Sequence, residues 1–258
     1  MLQSPIAFYI ISLFKTLIMS VVHQQLSFRP ARNIDELQAL FQLRHQVYLE
    51  SRCAALVADN EHGFELDAYD AQAHHLGLFQ GGLPVGVMRL VQESPTPTAA
   101  WVAELSVRYG LTVPVPAAEE ALPLLAHCED KPLISAHLSQ LRSQGAGLVE
   151  ASRFVLAPDS RAAGFARFFV EAAMARVFHY YGYGGVLIAC HPRHAAMYLR
   201  YGFEQVIDGR QHHYKDLAAS VLSMQAHQLR PALTARISEM GLIQQRYGEV
   251  KRQLGTAA

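Results

Sequence analysis

The chain is poor in cysteine: Cys53, Cys128 and Cys190 are its only three. Thiols so few and so widely spaced exclude a disulfide framework and a zinc knuckle and favour a reducing compartment, so a cytoplasmic location is expected. Net charge is lacking too, because 22 Lys plus Arg balance 22 Asp plus Glu. No global field steers the chain to nucleic acid. Charged residues are scarce, at 17% against 51% hydrophobic, so 258 residues can bury one large core. Thirteen histidines are present, yet His74-His75, His191-Pro192-Arg193-His194 and His212-His213 lack metalloenzyme spacing, and no metal is expected. Internal repeats and low-complexity runs are absent. A long unbroken hydrophobic run is missing as well: Ile6 to Val22 is interrupted by Ser12, Lys15, Thr16 and Ser20, whereas a spanning helix needs roughly 20 predominantly apolar residues. Residues 1–23 therefore read as an extension, either an interfacial helix touching a membrane through residues 6–22 or sequence upstream of a start at Met19.

What is present alternates strand and helix patterns, giving one mixed α/β domain over residues 24–215. Leu26 to Arg29 reads as a strand, and Asn33 as the N-cap of a helix with Ile34, Leu37, Leu40, Phe41 and Val47 at helical spacing. Arg44 and Tyr48, four apart, share a face of that helix. Glu65 to Asp70 is a loop, followed by a hairpin of His75 to Gln80 and Val85 to Val91 across residues 81–84. Residues 92–147 carry Pro95, Pro97, Pro114, Pro116, Pro123 and Pro132 and read as an irregular insertion with one or two short helices, such as Leu133 to Arg142. Leu148 to Leu156 is a strand with Glu150 and Ser152 on one side and Ala151 and Arg153 on the other, unless a bulge intervenes. Phe165 to Tyr181 is helical, Gly185 to Cys190 is a strand, and residues 216–258 read as a helical tail broken at Pro231.

Two kinds of residue carry chemistry. Arg161-Ala162-Ala163-Gly164-Phe165-Ala166 joins a strand to a helix, where unpaired backbone N–H groups at a helix N-terminus suit a pyrophosphate or phosphopantetheine. Arg44, Glu65, Asp67, Asp70, Arg89, Glu150 and Arg153 place charge in otherwise apolar segments. Buried charge is expensive unless paired, so the set implies a polar pocket or an ion-pair network. Glu150, on a strand, is placed to act as a general base, helped if burial raises its pKa.

The run Arg161 to Ala166, spelled Arg/Gln-x-x-Gly-x-Gly/Ala, resembles the acyl-donor loop of the GNAT acyltransferase superfamily. Tyr198-x-x-x-Gly202-Phe203 is similar to that superfamily's closing helix and strand. Arg44-x-x-x-Tyr48, Glu65-x-Asp67-x-x-Asp70, Arg89-Leu90 and Glu150-x-Ser152-Arg153-Phe154 resemble, in that order, the autoinducer synthases and N-acyl amino acid synthases. Closest are the acyltransferases associated with exosortase (PEP-CTERM) systems, and the likeness covers most of residues 24–214.

The resemblance implies a GNAT-like mixed, splayed sheet flanked by helices. It implies donor binding by Arg161, Ala162, Ala163, Gly164, Phe165 and Ala166 together with Phe154 and Val155 of the strand, and protonation of the departing thiolate by Tyr198. Arg44, Tyr48, Glu65, Asp67, Asp70, Arg89, Ser152 and Arg153 would bind the acceptor, Arg153 by resemblance alone. One departure narrows the product. Autoinducer synthases carry a tryptophan six residues beyond the aromatic matching Tyr48, and Ala54 stands there; the sole tryptophan is Trp101. That speaks against S-adenosylmethionine and a lactone. The expected activity is transfer of a fatty acyl group from acyl carrier protein, or alternatively coenzyme A, to the amine of an amino acid or related small molecule, with no permanently bound cofactor. A true acyl-homoserine-lactone synthase and a noncatalytic module binding carrier protein or an acyl ligand are the alternatives. The insertion and tail are long enough to enclose an acyl tunnel, and Arg161 and Arg167 are the expected docking residues for an acidic carrier protein.

Overall fold

Asn33 begins the first helix as its side chain dictates: its Oδ1 accepts the Glu36 N–H at 2.9 Å from an extended backbone. The computed structural model describes residues 25–254 apart from 52, 55–56, 58–59, 146, 210–212 and 215–216. The N-terminal extension 1–23 and its membrane contact lie outside the described residues. Strand β1 (Gln25–Pro30) leads into α1 (Ile34–Leu49), and a loop returns to the hairpin β2 (Ala73–Gln80) and β3 (Leu83–Val91). Gly81 and Gly82 turn that hairpin with φ of 59° and 86°, so the link is a tight two-residue turn and pairing resumes at Leu83, not Val85.

The proline-rich segment 92–147 is more ordered than expected. It holds α2 (Ala99–Arg108), α3 (Pro123–His127) and α4 (Lys131–Ser143). Pro123 and Pro132 sit in first turns, where a missing N–H leaves no helical bond unmade. Then come β4 (Leu148–Leu156), the one-turn α5 (Pro158–Ala162), and α6 (Ala166–Ala175), which continues as a π-helical turn over Arg176–Tyr180. β5 (Gly185–Cys190), α7 (Pro192–Leu199), β6 (Glu204–Ile207), the small hairpin β7 (His213–Tyr214) and β8 (Leu217–Ala218), β9 (Ser220–Gln225), α8 (Pro231–Tyr247) and β10 (Val250–Gln253) complete the chain.

The helical tail expected from 216 is thereby corrected. β9 lies between β5 and β6, with Leu222 and Met224 packed on one face and Val221 on the other. A strand buried on both faces loses the apolar/polar alternation that marks strands at a surface. Pro231 starts α8 instead of breaking a helix. β10 then pairs with β1 at the sheet edge, so this segment belongs to the sheet.

The eight-stranded sheet runs β10-β1-β2-β3-β4-β5-β9-β6. Only β4 and β5 are parallel neighbours. α6 and α8 cover one face through Phe28, Leu78, Val149 and Leu222. The other face is covered by α1 and α2 beside Val87 and by α3 and α4 beside Val91 and Leu187. Pairing of β4 with β5 stops at Ala151–Ile188. Beyond it β4 follows β3 while β5 follows β9, and the sheet splays open there. Among the described residues no helix is long and apolar enough to cross a membrane.

Candidate active site

β4 carries a bulge that decides where its charges point. Val87 pairs with Val155, but Arg89 pairs with Ser152, so β4 has one residue more than β3 in between. Arg153 absorbs it at φ 54°, the left-handed region, alone among the described non-glycine residues. A left-handed L-residue costs about 1–2 kcal/mol, and the return is directional. Arg153 comes back to the side of Ser152, where its Nε donates to Glu65 Oε1 at 2.8 Å and its Nη2 to Asp67 Oδ2 at 2.7 Å.

Those carboxylates are shared. Arg44 of α1 donates to Glu65 and, through both terminal nitrogens, to Asp70 at 2.8 and 3.2 Å. Arg89 of β3 holds Asp67 at 2.5 and 2.9 Å, touches Asp70 at 3.0 Å, and donates its Nε to Ser152 Oγ at 2.9 Å. Three guanidiniums thus meet three carboxylates in an interior where none could stand alone. Burial alone would raise the Asp67 carboxyl, but Arg89 and Arg153 override it and hold the group well below the carboxylate range. Asp70 feels the same opposition, burial against Arg44 and Arg89, and is lowered to about 2.

Beside this network a cavity of about 570 Å³ enters the splay between β4 and β5. Its polar end is formed by Tyr48, Glu150, Ser152 and Arg153. Its apolar end lies between Met88 and Leu90 of β3 and one stripe of α6 and its π turn, namely Ala166, Val170, Ala173, Met174 and Val177. That stripe spans about 16 Å at 1.5 Å per residue, the reach of roughly a dozen extended methylenes. None of the insertion's described residues lines the cavity, which corrects the expectation that it encloses the tunnel. Of the described C-terminal residues, Leu217, Ala218 and Ala219 line it.

Glu150 is 1% exposed. Its Oε2 accepts the Leu124 N–H at 2.9 Å. Burial pushes its carboxyl up to about 8, with that hydrogen bond and the charges of Arg89 and Arg153 offsetting part of the rise. Tyr198 borders the same cavity from α7, its ring edge-on to Phe203 at 5.5 Å, and burial raises its hydroxyl too. Gly202 ends that helix at φ 117°; a Cβ there would lie 2.2 Å from the Gln228 carbonyl oxygen, so glycine is required.

The run 161–166 is not one open turn. Arg161 and Ala162 close α5, and the N–H groups of Ala163, Gly164 and Phe165 bond to Asp159, Arg161 and Ser160 carbonyls within the turn. The donors left for a ligand are those of the first turn of α6, which a helix cannot satisfy internally. Gly164 at φ 71° makes the reversal. Arg161 lines the cavity and donates its Nε to the Leu156 carbonyl at 2.8 Å.

Residues 130–227 match the family model described as N-acyl amino acid synthase FeeM, and residues 43–108 match that of the acetyltransferase (GNAT) domain. The chain is a GNAT-fold N-acyltransferase. Its matched segments are similar to the N-acyl amino acid synthase and GNAT families. Among solved structures it is similar to FeeM, an N-acyl amino acid synthase from uncultured soil microbes, at 14% identity over 86% of this chain and 97% of that one, with a TM-score of 0.50. It is also similar to BjaI, a CoA-dependent acyl-homoserine lactone synthase solved with SAM and isopentyl-CoA, at 18% identity over 80% of this chain and 82% of that one, with a TM-score of 0.50. Among curated proteins no match is found.

Of the residues that the sequence nominates, the acyltransferase brings Glu150, Tyr198, Tyr48, Ser152, Arg153, Phe154, Arg161 and Ala166 to one cavity. Arg44, Glu65, Asp67, Asp70 and Arg89 do not line it. Instead of opening an acceptor pocket they bond to one another and brace Ser152 and Arg153 from behind, because charges of both signs at this burial are stable only when paired. The Val155 side chain packs on the opposite face, against the α1 core, and Phe165 is buried among the α6 residues. Leu124 and the α6 stripe go unnoticed in the sequence, since apolar residues at helical spacing read as ordinary core. Among the described residues no group of three His, Cys, Asp or Glu is arranged to hold a metal ion.

Proposed function

We propose that the acyltransferase moves a long-chain acyl group from a carrier thioester to the amine of an amino acid or related small molecule, with Glu150 as the base. The observation that carries this reading is the position of Glu150: a buried carboxyl with a pKa near 8, at the junction of a charged cluster and an apolar channel. The acyl chain lies along the α6 stripe. The thioester carbonyl meets the edge of β4 beyond Ala151, at Phe154 and Val155, where no β5 partner takes the backbone groups. The acceptor enters beside Ser152 and Arg153, whose guanidinium suits a carboxylate. Glu150 takes the amine proton as the C–N bond forms; the C–S bond then breaks, and Tyr198 protonates the thiolate. The carrier is acyl carrier protein, docking near Arg161 and Arg167, with coenzyme A as the competing donor.

Kinetics with acetyl, octanoyl and palmitoyl donors on both carriers test this. Each methylene buried in the channel contributes about 0.8 kcal/mol, so kcat/KM rises steeply from acetyl to palmitoyl. Preference for acetyl-CoA overturns the long-chain reading. Mass spectrometry of lipids from cells expressing the enzyme identifies the acceptor, and a lactone product would overturn the amino acid assignment.

A further inference from the structure

The described residues of the proline-rich insertion add nothing to the acyl channel, yet they reach Glu150. Leu124, in the first turn of α3, donates its N–H to Glu150 Oε2 at 2.9 Å. Leu122 and Leu124 are fully buried, and the stretch that bears them is tied down twice. The Tyr69 hydroxyl donates to the Glu120 carbonyl at 3.1 Å, and the Gln72 side-chain amide donates to the Ala121 carbonyl. Tyr69 and Gln72 flank Asp70, so one short segment of chain fastens both the ion-pair network and the insertion.

We propose that residues 120–124 are a positioning element for the catalytic base, with the Leu124 N–H orienting the Glu150 carboxylate and with Gln72 and Tyr69 holding that N–H in place; this rests on Glu150 being the base. A carboxylate withdrawn from water is oriented by whatever donors the fold fixes around it, and a backbone N–H in a first helical turn is already aimed outward. The charged and titratable groups facing Glu150 are Arg89 of β3, Arg153 of β4, Asp67 and Tyr69 of the preceding loop, and Cys128 at the end of α3. None of them is altered by substituting at Leu124 or Gln72.

The test replaces Leu124 by its α-hydroxy acid, which keeps the side chain and exchanges N–H for ester oxygen. One hydrogen bond to a charged group corresponds to about one pH unit. The acidic limb of kcat therefore moves up by about one unit, with roughly tenfold lower turnover at pH 7 and an unchanged KM for the acyl donor. Gln72→Met and Tyr69→Phe, both ordinary substitutions that keep the side-chain bulk, move the same limb by less. In a Glu150→Gln background none of the three changes has a further effect. An unmoved limb in a folded ester variant, or a loss that is equal at every pH, overturns the positioning role alone. Wild-type turnover and an intact limb in Glu150→Gln overturn the base assignment and the positioning role together. If the ester variant does not fold, an unmoved limb in Gln72→Met is decisive against the proposal.

Discussion

Glu150→Gln separates the proposed function from stability, because the burial that raises this carboxyl is also a burden on the fold. In the unfolded chain the group titrates near its ordinary 4.5, and in the folded chain at about 8. The folded state therefore binds the extra proton between those values. Stability from this group is fully present below pH 4.5 and is lost as pH rises to 8, after which the penalty stays constant. At 1.36 kcal/mol per pH unit, the separation is worth at most roughly 5 kcal/mol. Glutamine has the same shape, does not titrate, and can still accept the Leu124 N–H. Its new NH₂ group faces Arg89 and Arg153 and lacks an acceptor, a cost of about 1–3 kcal/mol. The variant is thus expected to be slightly less stable than wild type at pH 5 and about 2–4 kcal/mol more stable at pH 9.

Urea unfolding of both proteins at pH 5, 7 and 9 reads this directly. All other carboxylates titrate alike in the pair, so they cancel in the difference between the two curves. A difference independent of pH, or a wild type that gains on the variant as pH rises, would refute the placement of a protonated carboxyl at this site. Activity gives the complementary result. Turnover of the wild type rises toward pH 8 as Glu150 loses its proton, whereas the stabilised Gln variant is severely impaired at every pH, the opposition expected where a fold retains an unfavourable group for function.

Tyr198→Phe should lower turnover less than Glu150→Gln does, since a thiolate departs even without an acid; single-turnover rates check the ranking, and a larger loss for Tyr198→Phe would reverse the assignments. Arg89→Met removes one of the two guanidiniums that hold each of Asp67 and Asp70 and should destabilise the fold by about 3–5 kcal/mol at pH 7. Both aspartates titrate below their ordinary value, so their contribution is present above pH 4 and is lost as pH falls toward 2; unfolding followed by circular dichroism should show the deficit of Arg89→Met shrinking in acid. Ala173→Leu, on the stripe of α6 that lines the channel, should lower kcat/KM for palmitoyl donors far more than for octanoyl donors, and an equal effect on both would place the acyl chain elsewhere.

Much of the site is legible in the sequence because charge is conspicuous where the surroundings are apolar. Arg44, Asp67, Asp70, Arg89, Glu150 and Arg153 stand out on that ground alone, and the strand Leu148–Leu156 and its partner Gly185–Cys190 follow from apolar runs of strand length. What escapes the sequence is geometry that depends on a neighbour. Strand parity sends Arg153 away from Glu150, and only the pairing of β4 with β3, which has room for one extra residue, forces the bulge that brings it back. The division of labour among the charges is equally a property of the fold. Counting residue types cannot say whether a guanidinium is free for a substrate, whereas the contacts show that Arg44 and Arg89 are committed to Glu65, Asp67 and Asp70. The backbone N–H of Leu124 has no side-chain signature at all, since every residue but proline carries one. It is singled out only because α3 begins opposite Glu150, a buried carboxylate that bonds to none of the three guanidiniums. The insertion that reads as mostly irregular in the sequence is therefore bound to Glu150 by a contact that depends on no particular side chain at position 124.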